Sequence, residues 1–117
     1  MRYRYIDGYS KRACTISTAH RIYIKSYDTI VAFIDRYGGL HRLWSGYGAT
    51  TIKHINTVLG QIYGAHGKIN KKEWESLTVE KTDKSAQEVK QITDEKLGTC
   101  NFEYTPHGDG YFISRTV

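Results

Sequence analysis

One stretch of the chain, residues 43–59, constrains the fold most. It holds the end of a strand, a short loop with two glycines and the strongest helix pattern in the sequence. The apolar residues of that pattern recur at helical spacing: Ile52, Ile55, Val58, Leu59, Ile62 and Tyr63. Thr50 or Thr51 is suited to cap the first turn, and Gly64 to end the helix. The pattern predicts an amphipathic helix that packs one face on a sheet.

The segments before this helix are typical of antiparallel strands. Residues 12–26 alternate between apolar and polar side chains, so Tyr23 and Lys25 are expected to face water while the isoleucines beside them face inward. Residues 29–35 form a continuous apolar run, which is typical of a strand buried on both faces. Residues 40–44 alternate again after a reversal rich in glycine. Together these segments predict an antiparallel meander of three or four strands.

The segments after the helix combine short helices with a closing hairpin. Asn70 and Glu73 form a capping-box pattern, which predicts a short helix that buries Trp74. Residues 80–96 are the most polar section and carry only a thin apolar stripe, so they are predicted to be a solvated helix or a flexible connection. Turn-forming residues at 106–110 predict a C-terminal hairpin.

These patterns define the fold class as α+β. With 117 residues, 39% hydrophobic and 25% charged, the chain is long and apolar enough for one globular domain spanning residues 1–117. The architecture predicted is an antiparallel β-meander packed by one amphipathic helix, with short C-terminal helices and a terminal β-hairpin. Residues 1–79 form a basic sheet-plus-helix core, and residues 80–117 form an acidic extension with the polar helix and the hairpin.

Charge is distributed unevenly along the chain. Residues 1–72 hold twelve Lys/Arg against three Asp, a net +9, whereas residues 73–117 hold five Lys/Arg against nine Asp/Glu, a net −4. A basic end of this kind attracts nucleic acid or an acidic protein surface. Alternatively, the two halves neutralise each other in the folded protein. The sequence leaves both interpretations open.

Basic residues interleaved with tyrosines are the best candidates for a binding surface. A cation beside an aromatic ring grips a nucleic-acid backbone and stacks on bases, and residues 1–12 are rich in both types. The same composition is also typical of an ordinary terminal strand. The candidate contacts are Arg2, Tyr3, Arg4, Tyr5, Lys11, Arg12, Tyr47 and Lys53.

No residue pattern indicates catalysis, so we expect neither an enzyme nor a cofactor. The turn from Gly46 to Lys53 resembles a phosphate cradle, but it lacks the Gly-Lys-Ser/Thr order of a P-loop. The five histidines have no zinc-ligand spacing, so no metal is expected. Cys14 and Cys100 are expected to be reduced and buried, with a disulfide between them as the alternative.

The chain has no apolar run long enough to suggest a signal peptide or a membrane span, which favours a cytoplasmic protein with no membrane partner. The sequence leaves the oligomeric state open.

Three motifs together resemble small uncharacterised proteins of bacteriophages and prophages of Gram-positive bacteria. The motifs are Tyr-Asp-Thr at residues 27–29, Trp–loop–Ala-Thr-Thr-x-x-His-Ile at residues 44–55 and Lys-Lys-x-Trp at residues 71–74. The resemblance covers about residues 10–78 and brings no catalytic residues with it. It implies an accessory protein of a mobile element, acting in the host cytoplasm.

The resemblance favours a non-enzymatic binding protein that inhibits a host factor. The expected partner is a host protein associated with nucleic acid, such as a CRISPR–Cas effector, which would make the chain an anti-CRISPR, or another defence component. One alternative is a small DNA- or RNA-binding regulator. The other is an enzyme or binder of a phosphorylated ligand at the turn from Gly46 to Lys53.

Overall fold

The computed structural model describes the backbone of residues 2–5, 13–27, 29–97, 102–107 and 110–115. Side chains are described for residues 13–27, 29–64 and 66–92. The strands in this part of the chain are β1 (Arg2–Tyr5), β2 (Ala13–Ser17), β3 (Arg21–Ser26), β4 (Thr29–Asp35), β5 (Leu40–Arg42), β6 (Phe102–His107) and β7 (Gly110–Arg115). The helices are α1 (Ala49–Tyr63), α2 (Lys71–Ser76) and α3 (Lys84–Leu97).

The strands form one antiparallel sheet in the order β5-β4-β3-β2-β1-β7-β6. Strands β2 to β5 follow one another as a meander, as the alternating pattern predicts. Strands β6 and β7 form the predicted C-terminal hairpin, which joins the sheet because β7 pairs with β1. The α+β class is therefore confirmed.

A register shift in β4 explains how its continuous apolar run places buried side chains on both faces of the sheet. Ile24 pairs with Ala32, but the next residue of β3, Lys25, pairs with Ile30, so Val31 is the extra residue of a bulge. Because the bulge interrupts the alternation, Val31 and Ala32 both join the core on one face. The burial of this strand on both faces is confirmed, since residues 30–34 are all buried.

Helices α1 and α2 cover one face of the sheet. Ile24, Ile34, Ile55 and Trp74 lie in the core between these helices and the strands, and each is at most 2% exposed. The predicted stripe of α1 is correct as far as Leu59. Beyond it, Ile62 and Tyr63 are 42% and 41% exposed, contrary to their place in the predicted stripe.

The sequence predicts some of the capping residues of α1 and α2 correctly and others wrongly. Gly48 is the N-cap of α1 and no side chain caps this end, so the predicted threonine cap is wrong. Thr51 is instead buried inside the helix. Gly64 ends the helix at a positive φ of 71°, as predicted. The capping box between Asn70 and Glu73 in α2 is confirmed.

Helix α3 covers the opposite face. Of the two alternatives predicted for residues 80–96, the solvated helix is confirmed over Lys84–Leu97, because its thin apolar stripe is buried and its other described side chains are mostly exposed. Ala86 and Val89 are 0% and 2% exposed and pack with Cys14, Tyr23 and Phe33. The outward orientation predicted for Tyr23 is therefore wrong, since Tyr23 is fully buried under this helix. Alternation shows that two faces differ, but it does not show that a distant helix covers the second one. Among the described residues, none of the helices is both long and apolar enough to cross a bilayer.

Candidate binding surface

A buried arginine organises the loop between β5 and α1. Arg42 is 6% exposed, and its guanidinium carbon lies 4.8 Å from the centre of the Trp74 ring. It donates hydrogen bonds of 2.8–3.5 Å to six backbone carbonyls, which belong to Trp44, Ser45, Gly46, Trp74, Glu75 and Leu77. One fork of donors therefore ties the loop before α1 to the end of α2.

The two-glycine loop faces this arginine with its carbonyl groups. The Gly46 carbonyl accepts from Arg42 and from the Trp74 indole N–H, at 3.3 and 3.0 Å. A Cβ at Gly46 would stand 2.4 Å from the Trp44 ring, so only glycine fits there. The close contact with Trp44 explains why this position is a glycine, and the Gly46 carbonyl faces inward.

A buried polar network joins the end of β3 to α1. The Ser26 hydroxyl shares a hydrogen bond of 2.8 Å with His54 Nδ1 and one of 3.1 Å with the Thr51 hydroxyl. A serine beside an imidazole can act as a nucleophile in an open site. Here Ser26 and His54 are 3% and 0% exposed, so a substrate has no access to the pair. Tyr27 follows with a φ of 53° and lays its ring 5.7 Å from that of His54.

On the α3 side, charged groups from the two halves of the chain meet. His41 bonds to Asp35 through Nε2 and to Glu80 through Nδ1, both at 2.6 Å, and its ring stacks on Phe33 at 4.3 Å. Burial lowers the pKa of His41, but its hydrogen bonds to the two carboxylates and their charges outweigh this effect, so the pKa is raised. The hydrogen bond from His41 is the largest cause of the lowered pKa of Asp35.

A second ion pair lies next to this cluster. Arg21 donates to Asp83 at 2.6 Å, and its guanidinium lies 4.1 Å from the centre of the Phe33 ring. Asp83 also accepts from the Ala86 amide and thereby caps α3. On this side of the sheet, two pairs therefore join the basic and acidic halves of the chain, Arg21 with Asp83 and His41 with Glu80.

The opposite side takes its cations from a segment of the chain that has no acidic residues. From Arg36 to Lys72 the sequence contains no Asp or Glu. The Lys and Arg residues in this range are Arg36, Arg42, Lys53, Lys68, Lys71 and Lys72. All except Arg42 are exposed. Lys71 lies 3.8 Å from Glu75, an exposed pair of little energetic consequence.

Three of these lysines and two tyrosines lie along α1, and we call them the lysine–tyrosine strip: Tyr47, Lys53, Lys68, Lys71 and Tyr63. Gly60 lies on the same face of α1 as Lys53, at i and i+7, and Tyr63 at the end of the helix lies about 80° around from Lys53. The stem of Lys68 lies across this face, since a Cβ at Gly60 would be 3.4 Å from its Cε. Lys71 places its ammonium group 4.9 Å from the centre of the Tyr47 ring.

The segment after α1 is held in place beside the helix. The Asn56 side chain binds the backbone of Ile69 twice, donating to its carbonyl and accepting from its amide, both at 2.8 Å. A Cβ at Gly67 would collide with Tyr63 at 2.6 Å, so the chain passes close to the end of α1 there. These contacts position Lys68 and Lys71 relative to Lys53.

The structure brings together only part of the binding surface predicted from the sequence. Tyr47 and Lys53 lie at the same end of α1, and both are exposed. The predicted contacts Arg2, Tyr3, Arg4 and Tyr5 belong to β1, which pairs with β2 and β7. The predicted contacts Lys11 and Arg12 lie outside the described residues.

Sequence reasoning missed Lys68, Lys71 and Tyr63 as members of this surface. One signal for the lysines is present in the sequence, namely the absence of Asp and Glu between Arg36 and Lys72. Their placement along α1 depends on contacts across the helix, such as that of Asn56 with Ile69, which no local pattern predicts.

Two further observations concern metal and thiol chemistry. Within the described side chains, no group of three His, Cys, Asp or Glu residues is arranged to hold a metal ion. Cys14 is a buried free thiol, and burial raises its pKa to about 11, which keeps it protonated and unreactive. Its proposed disulfide partner, Cys100, lies outside the described residues.

The fold and the surface together define an α+β protein with helices on both faces of an antiparallel sheet and a basic, tyrosine-bearing strip on one side. The chain belongs to the Family of unknown function (DUF8033), whose model matches residues 5–76. The match ends at the last residue of α2, so it includes the whole strip. No curated protein and no solved structure matches the chain significantly.

Proposed function

We propose that this protein is a non-catalytic binding protein that holds an acidic macromolecular partner on the lysine–tyrosine strip. The observation that carries the proposal is the contrast in charge between the two sides of the sheet. On the α3 side, Arg21 and His41 are paired with carboxylates at 2.6 Å. On the α1 side, Lys53 and Lys68 lie in a part of the sequence that has no Asp or Glu. Their charge is therefore directed at a partner.

The tyrosines of the strip support a contact surface. Tyr47 and Tyr63 are each 41% exposed, and Tyr37, just beyond the end of the strip, is 82% exposed. Tyrosine buries a large ring on binding and loses little conformational freedom, which is why it is enriched at interfaces. The Tyr63 hydroxyl donates to the Gly38 carbonyl at 2.8 Å, so this ring is already held in place.

The inhibitor role is supported by the resemblance to small phage proteins. Small phage accessory proteins commonly work by binding, and this analogy of origin favours an inhibitor. We therefore propose that the partner is a nucleic-acid-associated host factor, such as a CRISPR–Cas effector or another defence component, in the host cytoplasm. The alternative of a phosphorylated ligand at the turn from Gly46 to Lys53 has less support, because the Gly46 carbonyl faces Arg42 and Trp74.

The test is capture of host partners by the full chain and by two charge-matched double variants. Lys53→Glu/Lys68→Glu reverses two charges on the strip, whereas Lys81→Glu/Lys84→Glu reverses two exposed charges near the start of α3. Both variants change the net charge equally, so a non-specific electrostatic effect would weaken both alike. Circular dichroism checks that each variant is folded.

We expect the wild type and the α3-side variant to retain the same partner and the strip variant to release it. Infection assays with a defence-proficient host then test inhibition, and only proteins that retain the partner are expected to protect the phage. Equal retention by both variants would contradict the proposed surface. Protection by the strip variant would contradict the proposed inhibitor role.

A further inference from the structure

We propose that the ligand of the lysine–tyrosine strip is single-stranded nucleic acid, with phosphates on Lys53, Lys68 and Lys71 and a base stacked on Tyr47. This inference rests on the proposed function, because it names the part of the nucleic-acid-associated host factor that binds the same surface, namely its nucleic acid. It follows from how the cations are arranged, how the rings are presented and what the strip lacks.

The cations follow a line. Helix α1 has 15 residues and is therefore about 22 Å long. The following segment runs back beside it, with Gly67 against Tyr63, Lys68 across Gly60 and Ile69 bound to Asn56. Lys71 then reaches Tyr47 at the other end of the helix. A row of separate lysines suits a chain of phosphates better than a single anion, which a tight cluster would favour.

The rings are presented in a form that suits stacking. Lys71 covers Tyr47 at 4.9 Å from the ring centre, and 41% of Tyr47 remains exposed. Beyond the other end of the strip, the Arg36 guanidinium lies 4.9 Å from the centre of the Tyr37 ring, and Tyr37 is 82% exposed. A cation beside an exposed ring combines phosphate attraction with base stacking at one place.

The composition of the strip argues against a protein ligand. The centre of a protein–protein interface is depleted in lysine and contains apolar anchors. The strip has three lysines and no aliphatic side chain. The large exposed aliphatic side chain of α1, Ile62, is nine residues after Lys53 and therefore lies on the opposite side of the helix from it.

A single strand fits this surface better than a duplex. Tyrosine rings stack only on bases that are unpaired and turned outward, and a duplex hides the faces of its bases. The measurement is fluorescence anisotropy with the full chain and a labelled oligothymidylate of about 15 nucleotides, within the range of known single-strand site sizes. A labelled duplex of the same length provides the comparison, and both are titrated at several salt concentrations.

We expect the single strand to bind more tightly than the duplex, with affinity falling steeply as salt rises. Replacing Lys53, Lys68 or Lys71 by alanine should each reduce the slope of log K against log salt by about 0.7. Tyr47→Ala should weaken single-strand binding by about 5- to 150-fold, whereas Tyr47→Phe should keep most of it. Lys81→Ala, outside the strip, is the control and should change neither quantity.

Tighter binding of the duplex, or an unchanged affinity for Tyr47→Ala, would overturn this inference. Failure of the oligonucleotide to bind at low salt would also overturn it. If the strip variant Lys53→Glu/Lys68→Glu still releases the captured host partner in that case, the proposed function stands with a protein ligand. If that variant retains every partner, both proposals fail.

Discussion

Helices cover both faces of the sheet, but different interactions hold the helices on each face. On one face, α1 and α2 pack over buried aliphatic side chains, and Arg42 joins the connecting loop to α2 through six backbone carbonyls. On the other face, α3 contributes two small buried residues, Ala86 and Val89. The ion pairs of Arg21 and His41 hold this face at its margin.

This difference also separates the cations that are paired with carboxylates on the α3 side from those along α1. Helix α1 is held on the sheet by buried apolar side chains and by Arg42, whose hydrogen-bond partners are neutral backbone carbonyls. Carboxylates are therefore not needed to hold this helix. The α3 cover brings carboxylates to the sheet, where they neutralise Arg21 and His41. Arg21 and His41 beside α3 therefore contribute to the fold, whereas the lysines along α1 are the cations that we propose for the ligand.

The largest expected effect tests the role of Arg42 on the α1 face. Arg42→Leu should lower the free energy of unfolding by roughly 3–5 kcal/mol, because it leaves several buried carbonyls without a donor. Urea unfolding measures the change. Arg42→Lys is the matched control, since it keeps the charge but replaces the planar fork with a single ammonium group, and it should recover only part of the loss. A loss below about 1 kcal/mol for Arg42→Leu would contradict this role.

The next prediction compares helices α1 and α3 by making the same substitution, valine to alanine, in each. Val58 in α1 and Val89 in α3 are both 2% exposed. Val58→Ala should cost about 2–3 kcal/mol, because the rigid α1 cover leaves a cavity. Val89→Ala should cost about 1–2 kcal/mol, since α3 has fewer anchors and can shift to fill the space. Urea unfolding of both variants measures the difference, and equal losses would show that the two covers are equally rigid.

A smaller effect is expected at Asp83, where two substitutions distinguish its helix-capping role from its ion pair with Arg21. Asp83 accepts from the Ala86 amide and from Arg21. Asp83→Ala removes both interactions and should cost about 1–2 kcal/mol, whereas Asp83→Asn keeps the cap and should cost less than about 1 kcal/mol. Thermal unfolding of the two variants distinguishes the contributions. If Asn is as damaging as Ala, the ion pair matters more than the cap.

The smallest effect concerns pH and the α3 face. Because the folded-state pKa of His41 is raised, its contribution to stability is fully present below its unfolded pKa of about 6.5 and is lost as pH rises through the folded value. The pKa of Asp35 is lowered, so its contribution is present above about pH 3.9 and is lost as pH falls through its folded value. The His41 cluster should therefore stabilise the fold most between about pH 4 and pH 6.5.

Exposed pairs of this type contribute little to stability, so the effect is expected to be small. Urea unfolding at a series of pH values should show a decline for the wild type above pH 6.5 and a flatter profile for His41→Gln. Titration of the His41 ring followed by NMR reports the pKa directly. A His41 pKa at or below about 6.5 would contradict the cluster.

Local patterns predict much of this fold because the interactions responsible for them are local. The meander, the apolar stripe of α1 as far as Leu59 and the capping box of Asn70 and Glu73 all depend on residues a few positions apart. The errors occur where distant elements decide. Tyr23 is buried because α3, some 60 residues later, packs over it and Ser85 shares a hydrogen bond with its hydroxyl.

The candidate binding surface also combines features that the sequence determines with features that only the folded structure determines. The sequence by itself determined the unequal charge of the two halves, the helix that carries Lys53 and the exposed position of Tyr47. Only the tertiary structure decided that Lys68 and Lys71 lie along that helix and that Arg21 and His41 are neutralised on the other face. The reason is physical: charge is a property of each residue, but which charges remain free depends on the partners that folding brings within a few ångströms.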